Sequence, residues 1–363
     1  MPLHNKYDKD TLRKLLESNP EERITLSFYQ YAHIVNPQAF RDEMFAWMFS
    51  LQVLGRIYVA KEGINAQISV PAKFYEEFKD RLYSIPFLNG IRLNEAIEHD
   101  LFSFLKLKIK VRNKIVADGL NDETFDVTKK GIHLKAPEFN QLVEDPNTIL
   151  VDMRNHYEWE IGKFRGAITP DVDTFKEALA VVKEQLKGQE DKNLVMYCTG
   201  GIRCEKASAY YKHLGFQKVY QLEGGIIEYT RKARELGIEN KFIGKNFVFD
   251  DRRAEKISDD VIARCHQCGT PFDVHSNCAN DACHLLFIQC TACQEVHERC
   301  CSDACKEFIR LPADLQREFK SGKDMGVQTF KKGRDSLFVE AYLNWKTSNL
   351  DRVNRALQLE KID

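Results

Sequence analysis

The stretch Leu194-Val195-Met196-Tyr197-Cys198-Thr199-Gly200-Gly201-Ile202-Arg203-Cys204-Glu205-Lys206-Ala207-Ser208-Ala209-Tyr210-Tyr211 decides how this chain is read. Its first four residues form an apolar run that predicts a buried strand, and Cys204 onward predicts the start of a helix. Between them a cysteine stands at a strand end, followed by two glycines and an arginine. Paired glycines let the backbone curl so that several N–H groups point at one sulfur. The helix N-terminus adds partial positive charge, and Arg203 adds a full one. All three favour thiolate over thiol, which makes Cys198 the candidate reactive sulfur. The competing reading is a buried cysteine ahead of an ordinary turn, and the Gly-Gly pair with the arginine argues against it.

Working outward, Thr148 to Arg154 reads as a buried strand ending in polar residues. Asp173 to Lys187 reads as a helix with Phe175, Leu179, Val182 and Leu186 on its core face. Glu205 to Leu214 continues as the helix after the cysteine, Val219 to Leu222 is a strand closed by Glu223-Gly224-Gly225, and Ile226 to Leu236 is a last helix. Strands alternating with helices predict an α/β domain built on a parallel sheet, and such sheets place their sites at strand carboxyl ends, where Cys198 stands.

The N-terminal part carries a different rhythm. Ile24 to Tyr31 reads as a strand, and Asn36-Pro37 opens a helix with Pro37 at its first position. Val53 to Val59 and Ala66 to Val70 read as strands around a turn at Glu62-Gly63-Ile64-Asn65, Ala72 to Ile85 as a helix, and Gly90 to Leu93 as a fourth strand. The order βαββαβ is the split, ferredoxin-like α+β arrangement. Leu105 to Ile115 then alternates strictly, which in a strand puts Lys106, Lys108, Lys110, Arg112 and Lys114 on one face. Such a row is either an edge strand protected by charge or a stripe for a phosphate backbone.

The expected domains are residues 1–120, an α+β domain with the basic strand, then 145–238, the α/β domain, 240–306, a Cys-rich module, and 307–363, a helical tail. The length of 363 residues suits two to three domains. A formal net charge of −1 gives the whole chain no polyanion-binding signature, so a nucleic-acid surface must be a local patch. The N-terminus has no apolar signal region and no run approaches the length of a membrane span, which predicts a soluble, cytoplasmic protein with no membrane partner.

Nine of the eleven cysteines lie between Cys265 and Cys305. They form four pairs: Cys265/Cys268, Cys278/Cys283, Cys290/Cys293, and Cys300 or Cys301 with Cys305. Knuckles of this kind predict tetrahedral zinc, up to two structural ions, with His266, His284 or His297 as possible substitutes for a thiolate. Sequential and crossed pairing both satisfy the spacing. Free thiols, disulfides and an iron–sulfur cluster are the competing readings.

The middle segment resembles the rhodanese domain. Leu150 to Arg154 with Glu158 to Ala167 resembles its first signature, Cys198 to Arg203 its active-site loop, and Leu222-Glu223-Gly224-Gly225 its closing signature. Lys163-Phe164-Arg165 departs from the His-Ile-Pro common in that family. The flanks resemble the bacterial tRNA uridine hydroxylase family, through Glu62 to Asn65, Val111 to Gly119, Phe247 to Arg252 and Cys283 to Cys290. The resemblance covers roughly residues 20–310. It implies oxygen-dependent 5-hydroxylation of the wobble uridine, with the tRNA anticodon region as partner and molecular oxygen as co-substrate.

Two roles for Cys198 follow. It carries a persulfide, as the rhodanese resemblance implies, or its sulfur adds to C6 of the uracil ring and leaves carbanion character at C5. A general rhodanese sulfurtransferase acting through a Cys198 persulfide is the alternative function. Arg203 raises the local potential or makes a salt bridge with Asp152 or Glu158. Cys204 either resolves a persulfide or disulfide or simply packs in the first helical turn. Tyr197, Tyr210 and Tyr211 are candidate stacking surfaces for a flipped base. No nucleotide fingerprint and no His-His-carboxylate set is evident, so the residues name no oxygen-activating species.

Overall fold

The computed structural model describes residues 8–18, 20–97, 101–120, 124–127, 129–250, 252–321 and 337–359. Helix α1 (Lys9–Ser18) leads into strand β1 (Arg23–Tyr31) and helix α2 (Pro37–Ser50), whose first turn is capped by the Asn36 side chain accepting from the Ala39 N–H. Strands β2 (Leu54–Ala60) and β3 (Gly63–Pro71), helix α3 (Tyr75–Tyr83) and strands β4 (Asn94–Glu95) and β5 (Leu107–Val111) complete a five-stranded sheet of order β4-β1-β3-β2-β5. The first four strands take the expected ferredoxin-like order, and β5 adds in parallel to β2. Leu26, Phe28, Ile57, Val59, Ile68, Leu107 and Ile109 share one core with Met44, Met48, Phe78 and Leu82 of the two helices. The other sheet face, bearing Ser27, Tyr29, Tyr31 and Asn94, is left free of those helices.

Two expectations shift here. The proposed turn at Glu62-Gly63-Ile64-Asn65 is shorter, because Gly63 already pairs with Tyr31 as the first residue of β3. The fourth strand lies at Asn94–Glu95 rather than Gly90–Leu93. Pro86 opens a short 3-10 turn there, and pairing with Ser27 and Leu26 begins only after it.

The second sheet is parallel, of order β6-β10-β9-β7. It is built from β6 (Ile132–Leu134), α4 (Ala136–Leu142), β7 (Thr148–Asp152), α5 (His156–Trp159), β8 (Gly162–Phe164), α6 (Phe175–Gln185), β9 (Asn193–Tyr197), α7 (Ile202–His213), β10 (Lys218–Leu222) and α8 (Gly225–Leu236). β8 leaves this sheet and pairs with β11 (Phe242–Phe247), which pairs in turn with β12 (Ala254–Lys256). Residues 242–256, grouped by sequence with the Cys-rich module, therefore pack with the α/β domain. Met1–Asp259 forms one compact unit and Asp260–Asp363 a second.

The second unit contains β13 (His275–Asn277), β14 (Leu286–Ile288), α9 (Thr291–Val296), α10 (Asp303–Ile309), α11 (Ala313–Lys320), α12 (Leu337–Ser348) and α13 (Leu350–Leu359). The tail helices do not stand apart from the cysteines. Phe308, Phe319, Phe338, Tyr342 and Val353 share one core with Cys278, Cys283 and Cys305. Lys331-Lys332-Gly333-Arg334 lies outside the described residues. No helix among the described residues is long and apolar enough to cross a membrane.

Candidate active site

Strand β9 ends at Tyr197 because the chain then turns through Gly200 and Gly201 into α7. Gly201 is the helix N-cap at φ +98°, left-handed backbone that a side chain disfavours, and a Cβ there would stand 2.9 Å from the Tyr29 hydroxyl. Its N–H donates to the Cys198 Sγ at 3.1 Å. The closing signature holds the loop from behind: the N–H groups of Ile226 and Ile227 donate to the carbonyls of Cys198 and Thr199. Gly225 permits that approach, since a Cβ on it would meet both carbonyl oxygens at 2.5 Å.

Cys198 is fully buried. Burial pushes its thiol up, but the hydrogen bond from Cys204, the charge of Arg203 and the N–H groups of Cys204 and Arg203 outweigh it and hold the pKa at about 6. Cys204 moves the opposite way, raised well above the usual thiol range by burial and by its hydrogen bond to Cys198. The two shifts run in opposite directions, so thiolate is favoured on Cys198 rather than on Cys204. Cys204 is close enough to the Cys198 sulfur for the two to interact.

Arg203 makes the salt bridge weighed from sequence, with Glu158: Nη1–Oε1 is 2.6 Å and Nη2–Oε2 is 2.8 Å. Burial pushes the Glu158 carboxyl up, and Arg203 outweighs it and holds the group below the usual carboxylate range. Asp152 is engaged elsewhere, by the buried Arg154 at 2.6 Å. Gly166, at φ +75°, makes the turn that follows Lys163-Phe164-Arg165, so the departure from the common rhodanese wording leaves the chain reversal in place.

The N-terminal sheet covers the cradle, which the sequence did not signal. Tyr29 donates from its hydroxyl to Glu205 of α7 at 3.3 Å. A Cβ on Gly200 would lie 3.7 Å from the Asn94 amide nitrogen and 3.8 Å from the Ser27 hydroxyl. The flanking motifs are the fasteners. Lys206, fully buried on α7, meets Glu62 at 2.6 Å and Asp118 at 2.7 Å. Glu62 also accepts from the Ile115 N–H. Glu255 accepts from the Ile97 N–H and pairs with Arg252, which also holds Asp250. Polar residues at alternate positions of β1 look like a solvent face in the chain, and their partial burial is visible only in three dimensions.

The basic row is broken. Lys108 and Lys110 are exposed on β5 opposite Arg56 and Tyr58 of β2, with Lys106 just before them. Burial and the charges of Lys106, Lys110 and Arg56 lower the Lys108 ammonium pKa. The strand ends at Val111. Arg112 lies over the Tyr58 ring, and Lys114 turns away to Asp118 and the Leu120 carbonyl. Arg56 of the neighbouring strand stands beside Lys108, a basic neighbour that the alternation did not include. The three proposed stacking tyrosines are also spent in packing: Tyr197 and Tyr211 are fully buried, and Tyr210 packs on Phe125 and Tyr211.

In the second unit the cysteines pair crosswise. Cys265, Cys268, Cys290 and Cys293 form one cluster, and Cys278, Cys283, Cys301 and Cys305 the other, each with all four sulfurs within 4.8 Å of one another. Sulfur separations of 3.6 Å for Cys268–Cys290, 3.6 Å for Cys283–Cys301 and 3.7 Å for Cys301–Cys305 match the edge of about 3.8 Å expected for four thiolates around zinc. Cys300 is buried beside the second cluster and lies outside its set of four.

Fold and cradle together define a rhodanese-type α/β protein. Residues 135–232 match the rhodanese-like domain family, residues 23–115 the UPF0176 acylphosphatase-like domain family and residues 243–306 the rhodanase C-terminal family. The chain is 54% identical over 336 residues to a protein of Yersinia pestis (strain Pestoides F) named tRNA uridine(34) hydroxylase, covering 92% of this chain and 95% of that relative. It is 53% identical to the protein of that name from Photorhabdus laumondii, covering 92% and 96%. The chain belongs to the tRNA uridine(34) hydroxylase family. Among solved structures, a single-domain sulfurtransferase from Saccharomyces cerevisiae is 24% identical, covering 31% of this chain and 98% of that one, with a TM-score of 0.26.

Proposed function

We propose that this protein hydroxylates C5 of the wobble uridine of tRNA in the cytoplasm, with Cys198 as the catalytic residue and molecular oxygen as co-substrate. The observation that carries the reading is a thiolate at pKa about 6 in an N–H cradle capped by the polar face of a second domain. The Cys198 thiolate adds to C6 of a flipped uracil, since a stacked base hides that edge. Addition leaves carbanion character at C5, the carbon that takes up oxygen. The net change replaces C5–H by C5–OH and turns the second oxygen atom into water, which consumes two protons and two electrons from an external reductant. Loss of the Cys198 sulfur from C6 restores the ring and the thiolate.

Exposed Lys108, Lys110 and Arg112, with half-buried Arg56 and Lys106 beside them, support phosphate contacts with the anticodon stem-loop. The two cysteine clusters suit structural zinc: four thiolates close a tetrahedral shell and leave no position for chemistry. A general sulfurtransferase working through a Cys198 persulfide uses the same cradle but leaves the capping sheet and the basic edge without a role.

Nucleoside mass spectrometry of tRNA from cells lacking the protein tests the reading. Complementation by the native chain restores 5-hydroxyuridine, and Cys198→Ser does not. Unchanged uridine modification would discard the hydroxylase and turn attention to sulfur transfer. Incubation with tRNA containing 5-fluorouridine traps the sulfur–C6 adduct, and absence of any adduct would exclude addition at C6.

A further inference from the structure

The sheet face over the cradle holds a buried amide whose oxygen has no partner among the described residues. Asn94 is 3% exposed, and its Oδ1 has no hydrogen-bond partner among the described residues. Buried polar atoms of this kind are rare in native proteins and require an explanation. In the antiparallel register Asn94 stands directly opposite Ser27, so the two side chains share a face. That face meets the cradle at Gly200, two residues from Cys198, with the Asn94 Nδ2 at 3.7 Å and the Ser27 Oγ at 3.8 Å from where a Cβ on Gly200 would lie. The amide belongs to the N-terminal domain, yet it is aimed at the reactive loop of the other.

We propose that Asn94 reads the Watson–Crick edge of the target pyrimidine. This rests on the uridine reading above and deepens it. Uracil presents an N3–H donor flanked by two carbonyl acceptors, and a primary amide presents one acceptor beside two donors. The Asn94 Oδ1 accepts from N3–H while Nδ2 donates to the neighbouring carbonyl. N3 and C6 lie at opposite corners of the six-membered ring, so a grip on N3 leaves C6 free for Cys198. Ser27 is placed to serve a carbonyl on the same edge. A thiolate can add to any accessible enone-like pyrimidine; the amide supplies the choice of base and the orientation in which it is offered. Because Cys198 and Asn94 are both buried, the base enters by parting the sheet from the loop.

The test uses the full-length protein and synthetic anticodon stem-loops carrying uridine or N3-methyluridine at the wobble position, with kcat/KM for hydroxylation read by mass spectrometry. The native protein loses at least about tenfold on N3-methyluridine. Asn94→Ala loses a similar factor on uridine, chiefly through KM, and little more on N3-methyluridine, since the interaction is already gone. Asn94→Asp, which keeps the side-chain volume and so guards against a folding defect, also loses at least about tenfold on uridine. Equal rates of the native protein on the two stem-loops, or a full additional loss by Asn94→Ala on the methylated one, overturn the proposal and leave the uridine reading standing. A native protein that leaves uridine itself unmodified overturns both.

Discussion

In the cradle the Gly201 N–H donates to the Cys198 sulfur at 3.1 Å; in the clusters the Cys290 N–H donates to Cys265 at 3.3 Å and the Cys301 N–H to Cys278 at 3.4 Å. The local device is the same, a backbone amide placed on a sulfur to favour thiolate. What differs is the company. Among the described residues, Cys198 interacts with the thiol of Cys204 and the cation of Arg203. Each cluster sulfur has three others within 4.8 Å. A thiolate with one proton donor stays a nucleophile, whereas four thiolates at tetrahedral spacing repel one another unless a cation binds them. The number of sulfurs, more than the amide, separates reactive from structural cysteine.

The largest effect is expected from the clusters. Structural zinc contributes on the order of 10–16 kcal/mol in small zinc domains. Chelation should remove bound metal and abolish the folded signal of the Asp260–Asp363 unit, and Cys278→Ser should empty its own cluster and destabilise the unit. Elemental analysis showing no metal in a folded native protein would break the contrast. Cys198→Ser should instead leave metal content unchanged and reduce hydroxylation by roughly a thousandfold or more.

Cys204→Ala sharpens the comparison. With the Cys198 pKa at about 6, the thiolate predominates at neutral pH and is lost as pH falls through that value. Removing the Cys204 hydrogen bond should raise the pKa by about one unit. Alkylation of Cys198, followed at its own peptide by mass spectrometry, should then fall away at higher pH than in the native chain. An unmoved titration would assign the depression to Arg203 and the backbone alone.

The smallest effect belongs to the outer edge. Lys108→Ser with Lys110→Ser should weaken tRNA binding severalfold and reduce the salt slope of log K by about one to two. An unchanged slope would return these residues to edge protection.

Some of this was legible in the chain and some was not. The strand–cysteine–Gly-Gly–arginine–helix run was readable because each residue answers a local requirement. The alternation through Leu105–Ile115 overreached: period two describes a face only while the strand lasts, and β5 ends at Val111. Lys114 then serves Asp118. The tail read simply as helices, and its union with the second cysteine cluster in one core had no local mark.

The sequence by itself determined the candidate sulfur at a strand end, the parallel α/β order and seven of the eight cluster cysteines, because these depend on neighbours within a few residues; the choice of Cys301 over Cys300 came from the fold. Tertiary structure alone decided that the clusters pair crosswise and that Ser27, Tyr29 and Asn94 roof the cradle. These are contacts between segments tens of residues apart. Spacing constrains them weakly, since a polar residue facing a loop and one facing water leave the same alternation in the chain.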